Sequence, residues 1–137
     1  ELTHLEDVYK LNSIVCYLFY SLLILISACL LFLLYNKRYK ELCRSLFHSG
    51  LISLAFIIVL LVLVLINFNF SFTLFHEILF TNYLWQLNPE TDNLIVMFPE
   101  GFFIDIFIKI IIYSIISSLS LILVGKLFPI INKSSSK

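Results

Sequence analysis

Charge is scarce in this chain. Nine Lys and Arg and nine Asp and Glu make up 13% of 137 residues, against about 25% in an ordinary soluble domain. The two signs cancel, so there is no basic face of the kind that holds nucleic acid. Glycine and proline are few, three of each, and neither a glycine-rich phosphate loop nor an internal repeat is present. The three cysteines, Cys16, Cys29 and Cys43, form no CxxC and no His–Cys cluster, which gives no support to a structural zinc site. Cys16 and Cys29 fall within one apolar run and Cys43 beyond it, at depths that do not favour a disulfide.

Apolar residues dominate instead, at 61%, with a mean hydropathy of +1.02. A domain of this size has too much surface for its volume to hide so much apolar material from water. Lipid is therefore the solvent for most of the chain, which excludes a soluble enzyme and a disordered polypeptide. Three runs stand out: Ile14–Tyr35, without a charge; Leu51–Phe68, with Ser53 and Asn67 as its polar members; and Phe102–Phe128, interrupted by Asp105, Lys109, Gly125 and Lys126. The first has 22 residues, about 33 Å as a helix, enough for a hydrocarbon core of about 30 Å. None alternates apolar with polar, as barrel strands do. The expected fold is an all-α membrane protein, a single membrane domain with three transmembrane helices (14–35, 51–68 and 102–128) and short interfacial helices in a long outer loop.

Charge placement orients the helices. Loop 36–50 carries Lys37, Arg38, Lys40 and Arg44 against Glu41. The tail has Lys126, Lys133 and Lys137, with a polar, serine-rich fray over 132–137. The positive-inside rule assigns both to the cytoplasm. Loop 69–101 has Glu77, Glu90, Asp92 and Glu100 and no Lys or Arg, and segment 1–13 is also acidic; both are expected outside. An external N-terminus that opens on Glu1 with no signal pattern leads us to expect a further membrane span upstream.

Chemistry has room in loop 69–101, which is long for a simple connection. It is aromatic, with Phe70, Phe72, Phe75, Phe80, Tyr83, Trp85 and Phe98, a composition suited to the headgroup level. A short helix is expected over Leu74–Trp85 with Thr73 as N-cap, a turn over Asn88–Asp92, and a second short helix through Leu94–Met97 capped by Asp92. His76 and Glu77 sit together here. His4, with Asp7 at i+3, sits at the same outer level at the start of the first helix. His48 is expected on the other side. Each feature has a plain structural reading: the histidines and Trp85 as interfacial anchors, Asp7 and Glu77 as helix-start carboxylates, and Asp105 with Lys109 as an i,i+4 ion pair. The functional alternative is imidazole chemistry: one ring takes a proton from an attacking amine while the other stabilises the oxygen that gains charge. On that reading His76 is the base, and His4 its partner, held protonated by Asp7. A non-enzymatic membrane scaffold or partner subunit is the competing reading, and it gives the histidines no role.

The stretch His76-Glu77-Ile78-Leu79-Phe80, followed by Asn82, Trp85, Leu87, Asn88-Pro89, Asp92, Leu94-Ile95, Met97-Phe98-Pro99-Glu100 and Phe102-Phe103, resembles the lipoprotein intramolecular transacylase family, integral membrane proteins of Gram-positive bacteria. His4-Leu5-Glu6-Asp7-Val8 is similar to that family's segment leading into its second membrane helix. The resemblance implies transfer of the sn-2 acyl chain of a lipoprotein's diacylglyceryl-cysteine onto its own α-amine, giving the lyso-form lipoprotein. It implies no cofactor. The partners implied are diacylated bacterial lipoproteins and membrane lipid, in a multi-pass protein of the bacterial cell membrane. It matches His4 and His76 to the family's catalytic pair, with Asp7, Glu77, Asn82, Trp85, Asp92 and Glu100 as substrate-binding or supporting residues. The family's first helix and its extracytoplasmic insert have no counterpart in these 137 residues. Oligomeric state is left open.

Overall fold

The computed structural model describes residues 1–134, with side chains through Phe128. Five helices follow one another: α1 (Leu2–Tyr35), α2 (Tyr39–Ile66), α3 (Phe68–Leu79), α4 (Asn93–Met97) and α5 (Glu100–Ser134). There is no strand among the described residues, and α1, α2 and α5 are long and apolar enough to cross a membrane. Their large side chains point outward in numbers that water would not tolerate: Phe19, Leu31, Ile52 and Tyr113 are each more than half exposed. Lipid removes that penalty.

The helices are longer than their apolar runs. Hydropathy detects only the part of a helix that meets lipid, whereas the backbone keeps its hydrogen bonds wherever no residue breaks them. Thus α1 starts at Leu2 rather than Ile14, and α2 at Tyr39 rather than Leu51. The expected loop 36–50 contracts to the turn Asn36–Arg38, and Cys43 becomes a buried helix residue. That turn closes α1 with Lys37 in the left-handed region at φ 54°. The Arg38 N–H reaches the Leu33 carbonyl (2.9 Å) and the Lys37 N–H that of Leu34 (3.0 Å), the paired pattern that satisfies the last carbonyls of a helix. At the other end, α5 continues to Ser134, into the expected fray over 132–137; residues 135–137 lie outside the described residues.

Backbone contacts divide the chain into two compact units. The first comprises Glu1–Ser21 and Val62–Lys109, and it contains all the candidate site residues. The second comprises Leu22–Leu61 and the chain from Ile110 onward. In the second unit, the buried positions of α2 are Cys43, Gly50 and Ile57, and those of α5, among the described side chains, are Ile111, Ser118 and Gly125. Both sets repeat every seven residues, the period of a left-handed helix seam. The helices meet in antiparallel register, Gly50 against the Ser118 carbonyl and Gly125 against the backbone of Cys43 and Phe47. A Cβ on Gly125 would lie 2.6 Å from two of those backbone atoms, so only glycine permits the approach. Ser118 Oγ donates to the Ser114 carbonyl (2.8 Å) and accepts from the Ser53 hydroxyl (3.0 Å).

Candidate active site

In the first unit, the sequence places its polar chemistry at the start of α1, on α3 and on the irregular segment after α3. Asn67 caps α3, its Oδ1 accepting from the Phe70 N–H at 3.0 Å. The expected cap, Thr73, lies inside the helix. The earlier start matters because it puts Phe72 one helical turn before His76 on the same face. The Phe72 carbonyl can only accept, so the His76 Nδ1, 2.7 Å away, carries the proton and donates. In the neutral ring the lone pair is then on Nε2.

His4 and His76 are both buried, at 7% and 8% exposure, and they are the only titratable side chains among the buried polar residues described. Their ring centroids are 6.0 Å apart. Aromatics surround them: Phe72 (4.2 Å), Trp85 (5.0 Å), Phe75 (5.4 Å) and Phe80 (5.7 Å) around His76, with Phe80 also 5.2 Å from His4. Phe103 at the start of α5 packs on Phe72 at 5.5 Å. The Nδ1 of His4 is buried without a hydrogen-bond partner from the protein. Burying an unpaired polar atom costs about 1–3 kcal/mol, and a catalytic role is one of the reasons a folded protein carries such a cost.

The electrostatics of His4 run against the sequence expectation. Its turn lies before the uncharged run Ile14–Tyr35, outside the stretch that crosses the membrane. Burial holds its imidazole below the ordinary value of 6.5, His76 pushes in the same direction, and Asp7 opposes them. The expected protonated His4 is therefore disfavoured. Desolvation outweighs a carboxylate already engaged elsewhere: Asp7 Oδ2 accepts from Asn82 Nδ2 at 2.9 Å, and Asp7 Oδ1 lies 3.7 Å from Lys10 Nζ.

The remaining candidates divide. Asn82 and Trp85 join the histidine cluster, Asn82 through Asp7 and Trp85 through its ring. Glu77 stands beside His76 in sequence but is exposed, as is Glu100 in the first turn of α5. Asp92 occupies the N-cap position of α4 without a cap hydrogen bond; its Oδ2 accepts from the Asn88 N–H at 2.6 Å and closes its own turn. The free N–H of Leu94 in α4 bonds instead to Glu1 Oε1 at 3.0 Å. Asp105 and Lys109 are exposed, and among the described residues no ion pair joins them. Sequence reasoning missed Phe72 as the group that fixes the His76 tautomer and Lys10 as the second partner of Asp7. Their i−4 and i+3 spacings were the available signals.

Comparison with known proteins identifies the family. A family model described as lipoprotein intramolecular transacylase Lit matches residues 1–103, a span that includes both histidines, Asp7, Asn82 and Trp85. No curated protein and no solved structure matches the chain.

Proposed function

The chain belongs to the lipoprotein intramolecular transacylase family, and from that premise we propose that it moves the sn-2 acyl chain of a diacylglyceryl-cysteine lipoprotein onto that lipoprotein's own N-terminal amine. The amine nitrogen attacks the ester carbonyl. An amide N–C bond forms as the ester C–O bond breaks, and the proton that leaves nitrogen ends on the released glyceryl oxygen. Donor and acceptor belong to one molecule, so the protein needs only to position them and carry the proton. The observation that carries this reading is the pair of buried imidazoles 6.0 Å apart.

His76 Nε2, its lone pair freed by the Nδ1 bond to Phe72, is the proton acceptor. His4 is neutral at rest and donates a ring N–H to the carbonyl oxygen as charge develops there. An α-amine has an ordinary pKa of about 7.7–8.0 and is mostly protonated at pH 7, so an acceptor that stays neutral nearby is needed before attack can begin. Two imidazoles at this distance hold a second proton poorly, which suits a shuttle that takes one proton and returns it. The aromatic walls fit a lipid substrate arriving sideways from the leaflet. We place the acidic start of α1, α3 and α4 on the outer side of the membrane and the basic α1–α2 turn on the cytoplasmic side.

Mass spectrometry of lipoprotein N-termini, in cells carrying or lacking the protein, tests this function. Lyso-form, N-acylated termini should appear only with the protein. Diacylated termini unchanged by its presence would favour a non-enzymatic membrane scaffold.

A further inference from the structure

Trp85, its ring tilted against His76 at 5.0 Å, stands on a segment with no regular structure between α3 and α4. It sits in the turn Tyr83–Gln86, closed by the Gln86 N–H to the Tyr83 carbonyl at 3.1 Å. One residue before that turn, Asn82 uses both ends of its amide. Its Oδ1 accepts from the Leu84 N–H inside the turn at 3.0 Å, and its Nδ2 donates to Asp7 Oδ2 on α1 at 2.9 Å. The Leu84 N–H can only donate and the carboxylate only accept, so the amide orientation is fixed chemically. Asp7 is itself held on α1, three residues from His4. A chain of contacts therefore runs from the helix bearing His4, through Asp7 and Asn82, into the turn bearing Trp85, and onto the ring of His76.

We propose that the Asp7–Asn82 hydrogen bond is a positioning bridge: it holds the Trp85 turn against His76 and so fixes the second imidazole relative to the first. Asp7 and Asn82 are positioning residues in this scheme, acting through Trp85 rather than on the substrate. The bridge as a structural element stands apart from the reaction, and its effect on rate rests on the transacylase reading. Geometry is the mechanism: a displacement of about 1 Å at reacting groups can cost on the order of 100-fold in rate, and nothing regular in the backbone replaces the bridge over residues 80–92.

The test is a reciprocal exchange. In Asn82→Asp, two carboxylates face each other, the bridge opens and the turn is released. Asp7→Asn keeps an acceptor for Asn82 and loses only the charge assistance. In the double variant Asp7→Asn/Asn82→Asp, the amide now at position 7 donates to one oxygen of the carboxylate now at position 82, while the other oxygen still accepts from the Leu84 N–H. Both bonds return with the charge moved to the other partner. Trp85 is the chain's single tryptophan, so its fluorescence reports the turn whether or not acyl transfer occurs. Asn82→Asp should red-shift the emission and raise acrylamide quenching, with helicity by circular dichroism unchanged. It should lower kcat for lyso-form production by about 10- to 100-fold, in line with the cost of misplacement. The double variant should restore both the emission and kcat to within a few-fold of the parent. Unaltered Trp85 emission in Asn82→Asp would overturn the bridge. So would a double variant that stays as impaired as Asn82→Asp, because then restoring the hydrogen bond does not restore the turn. Lipoprotein N-termini unchanged in cells that carry the natural protein, with Trp85 emission that nonetheless follows the exchange, would overturn the transacylase reading and leave the bridge standing.

Discussion

His48 is a useful control for His76, because both make the same local bond. Each places Nδ1 2.7 Å from the carbonyl four residues earlier, Arg44 for His48 and Phe72 for His76. The bond is thus a habit of helical histidines and does not by itself mark a site. What separates the two rings is their surroundings: His48 is exposed, whereas His76 is buried beside a second imidazole. His76→Ala should therefore lower lyso-form production by about 10²- to 10⁴-fold, the usual worth of a general base, and His48→Ala should leave it unchanged; N-terminal mass spectrometry reads both. His4 makes a separate prediction about stability. Its folded pKa lies below the unfolded 6.5, so between the two values the unfolded chain binds more protons than the folded one. Stability is then full above pH 6.5, falls as the pH drops below it, and levels off below the folded value. Thermal unfolding in detergent should show this acid-side loss, and His4→Gln should flatten it. An equal loss in the variant would assign it to another group.

At the scale of the helices, composition gave away the crossings but not the ends or the seams. Three lipid-length runs are visible to hydropathy because lipid rewards apolar residues wherever they point. The same property hides which face packs: Leu, Ile and Phe look alike whether they meet a helix or an acyl chain. The seam is written in Cys43, Gly50 and Ile57 on α2 and Ile111, Ser118 and Gly125 on α5, at a seven-residue spacing that average hydropathy cannot register. The site was partly legible for a related reason. His4 and His76 both lie in acidic segments outside the apolar runs, so their meeting could be expected. The Asp7–Asn82 bond, joining residues 75 apart in sequence, required the folded path of segment 80–92. Helix packing in lipid rests on close backbone approach, so Gly125→Ala should destabilise the protein by about 1–3 kcal/mol, the usual cost of overpacking. Its Cβ would meet backbone atoms that cannot turn aside. Ser118→Ala removes one interhelical hydrogen bond, and such bonds in membranes are worth about 0.6 kcal/mol on average. Unfolding in mixed micelles should rank Gly125→Ala well below Ser118→Ala in stability; the reverse order would show that polar bonding, not backbone proximity, holds α2 to α5.

For the molecule as a whole, the charges are segregated along the chain. Glu6 and Asp7 lie in the first turns of α1; Glu77, Glu90, Asp92 and Glu100 follow between α2 and the start of α5; and Lys37, Arg38, Lys40 and Arg44 gather around the α1–α2 turn. The helix α1 is 34 residues long, about 51 Å, well beyond a hydrocarbon core of about 30 Å. Its charge-free part, Ile14–Tyr35, accounts for the crossing, and its first three turns are left on the acidic side with His4. Moving the cationic turn across the membrane would work against both the hydration of four basic side chains and the membrane potential. The acidic side, carrying both buried histidines, should therefore face outward, where a lipoprotein presents its N-terminal cysteine. Single cysteines test this in a background without Cys16, Cys29 and Cys43. Ser45 and Thr91 are both exposed, so either accepts a cysteine without disturbing packing. A membrane-impermeant maleimide added to intact cells or spheroplasts should label Thr91→Cys at once and Ser45→Cys only after the membrane is opened. The opposite pattern would put the histidine pair in the cytoplasm, away from exported lipoproteins, and the proposed substrate would fall with the topology.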